Sequence, residues 1–132
     1  MIDIPEETLL TELSELLMNE LPKILLEIEE QSDDSIRLPS FRYVGTHAKL
    51  PTGTGLPYAL LEIDEVTYTT KDRIIKNRIY NIQLTVKLAD TSSIWRYHAA
   101  IKKVIEQNSI QSNQFSIEKI SKTATITLQI KK

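Results

Sequence analysis

A chain of 132 residues with a net charge of −2 is long enough for one domain with a real core and too short for two. It holds no cysteine and only two histidines, His47 and His98. That excludes a disulfide scaffold, a thiol nucleophile and a cysteine–zinc site, and leaves a histidine metal cluster short of ligands.

The charge is unevenly spread. Residues 1–34 carry eleven acids against the single base Lys23, whereas residues 35–132 carry fifteen bases against seven acids. A solvated acidic helix face is one reading; an acidic end of one copy meeting a basic surface of another is the sharper one. No apolar run approaches the roughly 20 residues of a membrane span. The first residues, MIDIPEETLL, are acidic where a secretion signal would be basic, so a soluble cytoplasmic protein is expected.

In chain order, Leu9, Leu13, Leu16, Leu17, Leu21, Ile24 and Ile28 recur at the spacing of one helix face, with Glu12, Glu15, Glu20, Glu27 and Glu30 mainly opposite. Pro5 suits the first turn, and Glu6 and Glu7 complement its positive dipole end. Pro22 interrupts the pattern, but the apolar phase survives it, which predicts one long kinked helix. Residues 32–57 hold three prolines and all three glycines without any period. They read as a long connection with a short strand at Phe41–Val44.

Two strands follow. Ala59, Leu61 and Ile63 alternate with Leu60, Glu62 and Asp64, and the phase then jumps to Val66 and Tyr68, predicting a bulge near Asp64–Glu65. Tyr80, Ile82, Leu84, Val86 and Leu88 keep strict period two, as an antiparallel strand wet on one side would. The intervening TTKDRIIKN looks too long for a tight turn and predicts a hairpin with a projecting basic tip of Lys71, Arg73, Lys76 and Arg78. Ile74 and Ile75 at its apex resemble a docking plug for a protein groove.

A second helix fits TSSIWRYHAAIKKVIEQN, with Thr91, Ser92 or Ser93 as its cap and Ile94, His98, Ile101 and Ile105 as its stripe. Trp95 beside the stripe reads as core, or as an anchor at a subunit boundary. QFSIEKI and TATITLQI close the chain as a strand pair. The order is α-β-β-α-β-β, an α+β domain spanning 1–132, with an antiparallel sheet of about four strands and both helices on one face.

The search for chemistry returns little. PTGTGLP, residues 51–57, lacks the lysine and the following helix that a phosphate-binding loop requires. His98 has no acid nearby in sequence to orient it. Alternation places Glu62 and Asp64 on the outer face and Glu65 on the other, so three converging ligands are not expected. The basic hairpin offers lysines and arginines for phosphate but no aromatic side chains for stacking on bases. No catalytic, cofactor or metal site emerges.

In layout the chain resembles the tail terminator (tail completion, or neck) proteins of long-tailed bacteriophages and prophages. The likeness lies in the leading helix IPEETLLTELSELL, the loop entering a strand at GLPYALLEI, and the charged hairpin to RIYNIQLTVKLAD. It continues through the helix SIWRYHAAIKKVIEQ and the final strand TATITLQI. The resemblance implies a non-enzymatic virion protein: a ring, usually a hexamer, that caps the tail tube, stops its polymerisation and offers the head–tail joining surface.

Its implied partners are copies of itself, the major tail tube protein and a head completion or connector protein, without membrane, cofactor or sequence-specific nucleic acid. The implied place is the virion neck, after assembly in the host cytoplasm from subunits that can be monomers in solution. The expected interface residues are Lys71, Arg73, Ile74, Ile75, Lys76 and Arg78 on the hairpin, Glu12 and Glu15 on the first helix, and Trp95. The alternatives are another neck or head-closure component, or a small ligand-binding or hydrolytic domain using the 45–57 loop.

Overall fold

Period two in the sequence becomes a sheet with one greasy and one wet face. In the computed structural model, which describes residues 2–108, 112–120 and 123–131, the strands are β1 (Val44–Gly45), β2 (Tyr58–Lys71), β3 (Ile74–Lys87), β4 (Ser112–Ile120) and β5 (Thr123–Lys131). Their spatial order is β1-β2-β3-β5-β4. Tyr80, Ile82, Leu84 and Val86 on β3 and Ala124, Ile126, Leu128 and Ile130 on β5 are buried together. Their alternates face solvent in pairs such as Gln83–Thr127 and Thr85–Thr125.

The helices α1 (Pro5–Gln31) and α2 (Ile94–Gln107) cover the greasy face. Leu9, Leu13, Leu17, Leu21, Ile24 and Leu25 from α1 are buried, as are Ile94, Tyr97, Ala100, Ile101, Val104 and Ile105 from α2. The fold is α+β, with helices on one side of the sheet as the sequence predicts. α1 runs unbroken through Pro22, because burial of Leu21, Ile24 and Leu25 outweighs the single backbone bond that proline forfeits. Asn108 ends α2 by donating its side-chain amide to the Val104 carbonyl at 2.7 Å. No serine side chain caps the start of α2; Asp90 instead shapes the 3-10 turn before it, accepting from the Ser92 N–H at 3.0 Å and hydroxyl at 2.9 Å.

Two features depart from the expected sheet. The four long strands are antiparallel, but β1 joins β2 in parallel, pairing Val44 with Ala59 and Gly45 with Leu60, so the sheet is mixed. The chain turns back through residues 46–57 to enter β2 in the same direction as β1, which is the crossover that parallel pairing demands. The predicted strand at Phe41–Val44 therefore starts later, because Phe41 is drawn into the core and stacks on Tyr97 with ring centroids 5.4 Å apart.

The long connection is thus anchored. Leu38, Phe41, Val44 and Pro57 are buried along it, and Tyr97 Oη donates to the Pro39 carbonyl at 2.6 Å. At β1 the Tyr43 ring lies directly over Gly45, where a Cβ would come within 2.5 Å of its hydroxyl.

Candidate protein interface: a projecting arm and an acidic groove

β2 and β3 outrun the rest of the sheet. β5 accompanies β3 only from Ile79 upward, so Tyr68–Lys71 and Ile74–Arg78 stand out as a two-stranded arm. Its turn is tighter than the sequence suggests. Lys71 pairs with Ile74, and the two residues between them, Asp72 and Arg73, have φ of 54° and 64°. Positive φ at both central positions is the turn whose twist matches a β-hairpin; aspartate tolerates it well, arginine less so. The absence of a glycine hid it.

The expected hairpin residues do not form one patch. Lys71, Arg73, Ile74, Ile75 and Lys76 are exposed on the arm, but the register sets Ile74 opposite Lys71 and Ile75 opposite Thr70. Adjacent strand residues point to opposite faces, so each face of the arm carries one isoleucine rather than both forming a single plug. Lys76 is the extra residue of a bulge between Thr69–Asn77 and Thr70–Ile75. Arg78 belongs to the arm's root: with Tyr80, Thr8, Leu9 and Glu12 it lines a cleft of about 200 Å³ against α1.

Elsewhere, Glu15 is exposed on α1 and apart from that cleft. Trp95 is 63% exposed, which overturns its reading as core; its ring stands edge-on to His98 at 6.1 Å. It falls one position after Ile94, outside the stripe that α2 buries.

Part of the charge asymmetry is resolved inside the chain. Lys103 on α2 reaches Glu27 on α1 at 3.2 Å, and Arg96 holds Asp34 through both terminal guanidinium nitrogens. The bonds from Arg96 keep the Asp34 carboxyl below its ordinary range. Burial lowers the His98 pKa, with Lys102 adding to the effect.

Sequence reasoning missed an open groove of about 900 Å³ beside β2. Its walls come from Glu6 and Glu7 on the first turn of α1, Thr46, His47 and Ala48 in a 3-10 turn, and residues 60–66 of β2. The bulge predicted near Asp64 is present, since Ile63 pairs with Ile82 and Glu65 with Asn81. Its consequence differs from the one expected. The extra residue resets the alternation, and Glu65 shares the outer face with Glu62 and Asp64 instead of opposing them. Gln83 donates to Asp64 at 3.1 Å and Asn81 to Glu65 at 3.4 Å from that face. Among the described residues no three acids or histidines gather closely enough to hold a metal ion.

Half-buried Leu10, Ile63 and Val66 give the groove an apolar floor. Because β1 pairs with β2 only at Ala59 and Leu60, the β2 edge past that point faces the groove with no neighbouring strand among the described residues. A strand edge bordered by charge is a template for another chain, partly guarded by its bulge.

The Gly/Thr loop contains no comparable site. Gly53 takes φ of 81° in an exposed turn closed by Thr54, whose N–H and hydroxyl both bond to the Pro51 carbonyl, and the chain then enters a strand rather than a helix. Among the described residues no helix is long and apolar enough to cross a membrane. No protein-family model matches the chain, and comparison with curated proteins finds no match. Function must therefore be read from these surfaces.

Proposed function

We propose that the protein is a structural, non-enzymatic assembly protein that caps the tail tube of a long-tailed phage or prophage as a homo-oligomeric ring. In that role it stops tube polymerisation and provides the surface on which head and tail join. The arm carries this reading. It contributes no buried residue to the core, yet it displays Ile74 and Ile75 at 58% and 46% exposure among Lys71, Arg73 and Lys76. A two-stranded ribbon that outruns its sheet, buries nothing and leaves an isoleucine exposed on each face is poorly explained by the stability of a monomer and well explained by a protein partner. The order of elements, a leading helix, a long hairpin, a second helix and a strand pair, supports the same reading.

The test mixes the purified protein with polymerising tail tube subunits. Negative-stain images should show a ring at one tube end, light scattering should give a hexamer mass on assembly, and added protein should shorten the tubes. Tubes of unchanged length with no terminal ring would refute the proposal, as would thermal stabilisation by nucleotides with measurable turnover.

A further inference from the structure

We propose that the groove beside β2 is the acceptor for the arm of a second copy of the same chain. The inference rests on the reading that copies assemble with one another, and it names the two surfaces that meet.

The match has three parts. The first is charge. Glu6, Glu7, Glu62, Asp64 and Glu65 border the groove, while the arm tip brings Lys71, Arg73 and Lys76 against the single acid Asp72. Opposed potentials of this kind guide encounter and fix register between subunits. The second is apolar surface. The floor of Leu10, Ile63 and Val66 lies between Glu6 and Glu7 on one side and the acids of β2 on the other, and whichever face the arm presents brings one exposed isoleucine to it. The third is backbone. The open β2 edge offers unpaired peptide groups to a ribbon whose own edges, past β5, are unpaired as well.

A chain cannot fill its own groove. β2 supplies the groove at residues 60–66 and continues through Thr67 into the arm at residues 68–71. At about 3.3 Å per residue, the strand carries the tip roughly 20 Å away from the acids it would satisfy. Each copy therefore has one donor and one acceptor on different surfaces. Such a head-to-tail contact closes into a ring when the rotation permits.

Because the chain lacks cysteine, introduced thiols report the contact cleanly. One copy carries Ile74→Cys on the arm and another Ala48→Cys on the groove wall; the two are mixed and oxidised. The mixed disulfide should form well above either homodisulfide. Adding Lys71→Glu and Lys76→Glu to the arm copy should cut its yield more than about tenfold, as opposed like charges do at interfaces. Glu7→Lys and Glu62→Lys in the groove copy should recover it. A groove copy whose own residues 68–78 are replaced by Asn-Gly should still accept the arm at full yield, since only its groove is used.

Circular dichroism melts certify that each variant is folded. A mixed disulfide no more abundant than the homodisulfides, or one indifferent to charge reversal, overturns the proposal. Rings that form without this cross-link would sink the docking contact and leave the ring; the cross-link without rings on tail tubes would do the reverse.

Discussion

Replacing residues 68–78 with Asn-Gly joins Thr67 to Ile79, its partner in the ladder, by a two-residue hairpin turn. The body should tolerate this. The excised segment holds none of the buried core residues, and its four cross-strand pairs are worth about 0.2–1 kcal/mol each. Against that stands the cost of ordering the segment, about 1–2 kcal/mol per residue before its hydrogen bonds are counted. A two-stranded ribbon with no third strand is marginally stable at best in water, so its removal takes little from the body. The one real loss is at the root, where Arg78 helps cover the buried Tyr80.

Net destabilisation should stay within about 2 kcal/mol, a fall in Tm of no more than about 8 °C. Thermal unfolding by circular dichroism, with amide spectra reporting on Ile82 and Ile126, measures it. Assembly should be lost while the fold persists. An unfolded product, or a Tm lowered by more than about 15 °C, would show that the arm is a structural element and remove the reason for assigning it to a partner.

Arg73→Gly should stabilise the arm by about 1 kcal/mol, because Arg73 sits at a φ of 64° that costs a residue with a Cβ about that much; slower hydrogen exchange at Lys71 and Ile74 would register it. Ile82→Ala, at a fully buried site, should cost about 2–5 kcal/mol in urea unfolding, whereas Ile74→Ala on the arm should stay within about 0.5 kcal/mol. Alkaline stability should show a step from Tyr97, which is 2% exposed and whose pKa burial pushes up to about 12, with Glu29 adding to it. A raised pKa means the folded state keeps a proton that the unfolded chain gives up near pH 10. That contribution, at most about 2.7 kcal/mol, is intact below pH 10 and disappears by about pH 12; Tyr97→Phe should remove the step, leaving the one from Tyr80, whose pKa burial also raises. Asp34 has the opposite sign: its lowered pKa stabilises the fold above the ordinary carboxylate range, and the gain is lost as pH falls through the lowered value. Carbon-13 titration should find Asp34 back near an ordinary pKa in Arg96→Gln, and an unchanged value would refute the assignment.

Local periodicity determined most of the architecture. Leucines at helical spacing specified α1, and strict alternation from Tyr80 to Leu88 and from Ala124 to Ile130 specified β3 and β5, because which face is buried depends only on the repeat of the backbone. The bulge near Asp64 was legible for the same reason, as a slip in that repeat.

What alternation cannot supply is which strands are neighbours and where each stops. Strand order made β2 an edge beyond Leu60, pairing with β5 covers β3 only from Ile79 to Lys87, and from those two facts came both the groove and the arm. The positive φ at Asp72 and Arg73 likewise followed from strand pairing rather than from turn-forming residues. Trp95 lies outside the apolar stripe in sequence, yet only the packing of α2 decided that the ring remains in solvent. Surfaces of this kind depend on long-range pairing, and long-range pairing is a property of the folded chain as a whole.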